Sequence, residues 1–162
     1  MSNTTSARNK SSPVRSAGGR FIPIEDWGKD HWSTFAYVET CVVDQQPLDR
    51  DRLRCNVKVR PHLVGPTVNR FGNAKWQNDY GSRLKGFFTK GEPDKTRQLP
   101  KHDDWDCLED FEEAGLIEFV SVINAIVLLT EKGIAVAALL RKHKALGGNF
   151  ANFEFKPESL TV

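Results

Sequence analysis

The sequence predicts an α+β fold built around one core, and three observations predict it. The last third reads helix, strand, strand, helix. The middle is broken by proline and glycine too often for a long helix. The first twenty residues hold Met1 and Val14 as their larger aliphatics, too little apolar material to offset the entropy of ordering. At 162 residues the chain is one domain's worth and buries a core without disulfide or metal staples. Hydrophobic content of 39% and charged content of 27% are ordinary for a soluble globular protein.

The elements follow in order. Residues 1–20 are expected to be a disordered basic arm, and residues 21–162 a single domain. Order begins at Phe21-Ile22-Pro23-Ile24, a short extended stretch. Trp32, Phe35, Val38 or Glu39, and Val42 recur at helical spacing, with Asp30 placed to cap the start, while the β-branched and aromatic content also fits a strand. Gln45-Gln46-Pro47 breaks that helix, and Asp49 caps a second one. From Asn56 to Lys101, Pro61, Pro66, Pro93 and Pro100 alternate with five glycines, leaving short strands, turns and loops. Trp105, Leu108 and Phe111 repeat at i+3 in a helix that stops at Gly115. Strands over 116–122 and 125–129 meet at a turn near Asn124. Thr130 caps a last helix that ends in the basic run Arg141-Lys142-His143-Lys144, where cations suit the dipole, before Gly147-Gly148.

The segment Glu113-Ala114-Gly115-Leu116-Ile117-Glu118, followed by the ribbon and by Leu129-Thr130-Glu131-Lys132-Gly133, resembles the C-terminal half of a winged helix-turn-helix domain. It is most similar to MarR- or PadR-type regulators, and residues 105–145 carry the likeness. The resemblance implies a winged-helix-like core with its C-terminal half at 102–146. It implies a first helix at 31–43, a short first strand at 46–48 and a second helix at 49–55. Family members have a short turn between the second and third helices. Here a long basic insertion, 56–101, stands in that place.

Charge is segregated along the chain. Residues 21–51 carry seven acidic and two basic side chains, 52–101 carry three and twelve, and 102–131 carry nine and none. Such blocks either pair internally or seek charged partners. In the regulators the third helix enters the major groove, but here its outer face would present Asp106, Glu109, Asp110 and Glu113. Four carboxylates beside phosphates cost a few kcal/mol, on the order of the whole 4–10 kcal/mol margin of specific DNA binding. Those four residues are therefore expected to dock a protein. Nucleic acid, DNA or RNA, is expected at the basic arm and the basic block, with Arg52, Arg54, Lys58, Arg60, Arg70, Lys75, Arg83 and Lys85 on phosphates and Trp76 and Tyr80 stacking on unpaired bases.

Other classes find less support. Cys41, Cys55 and Cys107 form no C-x-x-C pair, and His31, His62, His102 and His143 are scattered, so neither a zinc site nor a thiol nucleophile has a nucleus. His102-Asp103-Asp104-Trp105-Asp106 has the residue types of a Mg²⁺ site, but acids in a first helical turn are ordinary caps. No cofactor and no metal are expected. No apolar run spans a bilayer and no secretory signal opens the chain, so a cytoplasmic protein without a membrane is the expectation. The function expected is non-enzymatic: an accessory or regulatory subunit linked to nucleic acid. A protein-only module that mimics nucleic acid, of the mobile-element or phage type, is the alternative, and a metal-dependent nuclease the third.

Overall fold

The computed structural model describes residues 21–48, 63–78 and 104–160. They form an α+β arrangement of three helices and two antiparallel two-stranded ribbons. The expected arm at 1–20 and the expected helix at 49–55 lie outside the described residues, as do 56–62 and 79–101 of the expected basic insertion.

A short 3-10 turn, Ile24–Asp26, leads into α1, Lys29–Val43. Every side chain from His31 to Cys41 is buried, so α1 is a central helix covered all round rather than a surface helix with one apolar stripe. The cap is not Asp30. Gly28 takes the extended N-cap conformation, and its carbonyl accepts from Trp32 N at 3.1 Å. Two hydroxyls drawn inside bond locally: Thr40 Oγ1 donates to Ala36 O at 2.9 Å and Ser33 Oγ to Asp30 O at 3.3 Å. Gln45, at φ 56, turns the chain out of the helix, and Leu48 returns to the core.

Strands β1, Leu63–Val68, and β2, Ala74–Asn78, make the first ribbon. This ribbon belongs to the core, because Leu63 and Trp76 are fully buried and it packs on α1 and on the last helix. Helix α2 is Asp104–Glu113. It ends in a Schellman motif: Leu116 N donates to Phe111 O and Gly115 N to Glu112 O, both at 2.9 Å, with Gly115 at φ +79.

The second ribbon pairs β3, Ile117–Ser121, with β4, Ile126–Leu129, in the register Ile117↔Leu129 and Phe119↔Val127. Ala125 supplies the positive φ of its turn, and its carbonyl accepts from Leu48 N at 2.9 Å. Helix α3, Glu131–Ala145, starts on Thr130 as expected. Thr130 Oγ1 accepts from Gly133 N at 3.0 Å and donates to Gly115 O at 2.5 Å, tying the start of α3 to the end of α2. Gly133 lies against the Leu116 backbone, where a Cβ would fall 2.0 Å from the carbonyl oxygen.

After α3 the chain folds back and buries Phe150, Phe153 and Phe155. Phe153 meets Trp32 edge-on at 4.6 Å, and Trp27, Phe35 and Phe111 continue the aromatic cluster at 5.0–5.2 Å. His143 Nε2 lies 3.0 Å from Asn149 O and 2.7 Å from Asn152 Oδ1. Both oxygens accept, so Nε2 carries the proton.

Candidate functional site

Two buried carboxylates organise the polar groups of the core. Glu39, at mid-α1, is 3% exposed. Its Oε1 accepts from Trp76 Nε1 at 3.0 Å, and Arg141 Nε of α3 reaches Oε1 and Oε2 at 3.2 and 3.3 Å. Burial raises the Glu39 carboxyl above the ordinary 4.5; the Arg141 charge and hydrogen bond, and then the Trp76 bond, act to lower it. Asp110 of α2 is the second. Its Oδ2 lies 2.9 Å from His31 Nε2, and its Oδ1 accepts from Ile22 N at 3.1 Å. The His31 ring stacks on Trp27 at 5.1 Å and 9°.

These contacts correct two expectations. Trp76 offers no face to a base, because its ring is wholly buried and its N–H is spent on Glu39. Asp110 belongs to no docking face, because it is as buried as the histidine it holds. An acid beside exposed neighbours such as Glu109 and Glu113 looks alike in sequence whether it points in or out. The sign that separates it is its place one residue before Phe111 on the apolar side of α2.

The remaining predicted residues divide cleanly. Lys75 is tied to Asp44. Arg70 is exposed at the tip of the first ribbon, and Glu109 and Glu113 are exposed on α2, with Glu112 beside them. Asp106 is a backbone position of α2 whose side chain lies outside the described residues. Arg52, Arg54, Lys58, Arg60, Tyr80, Arg83 and Lys85 lie outside the described residues altogether.

Sequence reasoning missed Phe71. It stands at 73% exposure on the tip Asn69–Asn73, with the Arg70 guanidinium 4.7 Å from its ring centroid. The loop is closed on itself. Asn69 Oδ1 accepts from Phe71 N and Asn73 N, Asn69 N donates to Asn73 O and Gly72 N to Asn69 O, each at 2.9 Å, with Gly72 at φ +84. A phenylalanine held in water forgoes about 1.5–3 kcal/mol of burial. The available signal was Asn69 with Gly72-Asn73, turn residues that place Phe71 at a tip rather than in a strand.

Among the described residues no group of three or more His, Cys, Asp or Glu is arranged to hold a metal ion. Cys41 and Cys107 are both buried. No helix among the described residues is long and apolar enough to cross a membrane. No protein-family model, curated protein or solved structure matches the chain.

Proposed function

We propose that this chain is a non-enzymatic, cytoplasmic binding protein linked to nucleic acid, with a winged-helix-like C-terminal core and a first ribbon whose tip meets the ligand. One observation carries the reading: Arg70 and Phe71 stand together, exposed, on a loop fixed by its own hydrogen bonds. A ring and a guanidinium on a fixed tip suit an unpaired base and its phosphate, by stacking and by charge. The stacking role expected of Trp76 passes to Phe71. The basic residues beyond the described segments extend the phosphate contact in this reading.

The test is fluorescence anisotropy with labelled single-stranded DNA, RNA and duplex DNA between about 50 and 200 mM salt. Single-stranded probes are expected to bind more tightly than duplex. Phe71→Ala removes about 1–3 kcal/mol of stacking, roughly 5- to 150-fold in affinity. Arg70→Ala lowers the slope of log affinity against log salt by about 1. Absence of binding to every probe at 50 mM overturns the reading, and binding indifferent to both substitutions removes the tip from it.

A second reading rests on α2, whose exposed Glu109, Glu112 and Glu113 line one side. It makes that helix the dock for a basic protein, with or without nucleic acid. Reversing Glu112 and Glu113 to lysine then abolishes capture of that protein while leaving the anisotropy result unchanged.

A further inference from the structure

We infer that the outer face of the β3–β4 ribbon is the contact by which two copies of this chain form a homodimer. The inner face is spent on the core: Ile117 and Val127 are buried, with Phe119 and Leu129 packed beside them. The outer face is equally apolar and faces water. Val120 is 60% exposed, Leu128 50% and Ile123 at the turn 92%, with Val122 and Ile126 completing the patch. Polar residues ordinarily occupy the solvent side of a half-buried ribbon, so this alternation is broken on one side.

The area decides what kind of contact this is. The five side chains leave about 500 Å² of apolar surface in water, within the 300–600 Å² of the largest patch a monomer usually carries. Doubled across a two-fold axis this is about 1,000 Å², the lower bound for a specific interface and below the roughly 1,600 Å² of a standard one. A reversible dimer with a micromolar dissociation constant is the expectation.

Charge selects the occupant. From Phe119 to Leu129 the chain holds no ionisable side chain, so the patch offers a foreign partner nothing to recognise by charge. An apolar face is complementary to itself, as a two-fold interface requires. The charge on this outer face is Glu118, across the ribbon from Leu128 at its base. Two ribbons packed face to face and antiparallel set each Glu118 beside the other ribbon's neutral tip. The like charges then stay apart.

Sedimentation velocity on the full chain, from about 1 to 200 μM, tests this. The mass is expected to rise from 18.3 kDa toward twice that value and to stop there. Ile123→Asp and Leu128→Asp each raise the dissociation constant at least tenfold, with unchanged circular dichroism because both side chains already face water. Phe71→Ala, on the other ribbon, leaves the equilibrium untouched. A monomer at every concentration, association that runs past the dimer, or a dimer indifferent to both aspartates overturns the inference.

Discussion

Arg141→Met exposes the logic of the buried Glu39. The wild-type carboxylate has two kinds of support, the Trp76 N–H and the Arg141 guanidinium, with the Glu39 side chain 4% exposed and that of Arg141 20%. Methionine keeps the length and helix propensity of the stem but leaves a charge in the core with one neutral donor. Removing one partner of a buried pair costs about 3–5 kcal/mol. Arg141 lies a fifth in solvent, so the lower end, about 3 kcal/mol, applies. Glu39→Gln is the milder change: an amide oxygen still accepts from Trp76, and the freed guanidinium can turn to water, for about 1 kcal/mol. The double variant should recover part of the Arg141→Met loss, because no charge then remains unpaired. The pH dependence has a definite sign. A carboxyl raised in the folded state holds more protons there than in the unfolded chain, so stability falls as pH rises from 4.5 toward the folded value. Without Arg141 two influences that lower that value are gone, and the window widens upward. Urea unfolding followed by tryptophan fluorescence should therefore give a larger Arg141→Met deficit at pH 7.5 than at pH 5, and a Glu39→Gln deficit that is smaller at pH 7.5 than at pH 5, because the amide does not titrate while the wild-type carboxyl loses stability across that window. Equal Arg141→Met deficits at the two pH values, or a Glu39→Gln variant less stable than Arg141→Met, would refute the reasoning.

Three further outcomes follow from contacts in the core. Gly133→Ala drives a methyl into the Leu116 carbonyl, which already accepts from Thr130 N at 3.0 Å; about 3 kcal/mol or more should be lost, a drop of roughly 6–12 °C in a calorimetric melt. Asp110→Ala removes the acceptor that His31 Nε2 and the Ile22 N–H share and should cost about 2–4 kcal/mol in urea, whereas Glu113→Lys should stay within about 0.5 kcal/mol, because it is exposed and the helix C-terminus favours a cation. Thr130→Ala removes the cap of α3 together with its bond to Gly115 O, and a loss of about 1–2 kcal/mol is expected by the same titration.

The helices were legible where the signal is local. Periodicity at Trp105, Leu108 and Phe111, a stop at Gly115 and a start at Thr130 depend on neighbours a turn away, and α2 and α3 lie within a residue or two of expectation. The first ribbon was not legible, because β1 contains Gly65 and Pro66 and its strand character comes from pairing with β2 and from Leu63 and Trp76 entering the core. The aromatic rings show the same limit. Trp76 and Phe71 both lie among basic residues, and composition favours tryptophan as the base-stacking ring. Burial reverses the choice, since Trp76 finds Glu39 thirty-seven residues away and Phe71 sits on a turn that keeps it in water. Phe150, Phe153 and Phe155 went unassigned because no period or cap marks them. They are in the core because the Schellman turn at Gly147 and the Asn149 and Asn152 bonds fold the chain back over α1.

Charge segregation along the sequence invites the view that the basic middle pairs with the acidic stretch after it. The core pairs differ. Lys75 goes to Asp44, Arg141 goes to Glu39, and the buried acid of α2 takes a histidine of α1. Helix α1 is thus the partner in each case, or ends one residue before the partner. It is joined to β2, to α2 and to α3 by directed bonds between residues 31 to 102 apart in sequence. Apolar burial is non-directional, and a helix covered all round has no stripe to fix its rotation. The polar bonds supply that rotation: Glu39 must face β2 and α3 while His31 faces α2. If they serve that purpose, replacing Glu39 and Arg141 together by leucine and methionine should leave stability near the wild-type value but broaden the near-ultraviolet dichroism of the tryptophans.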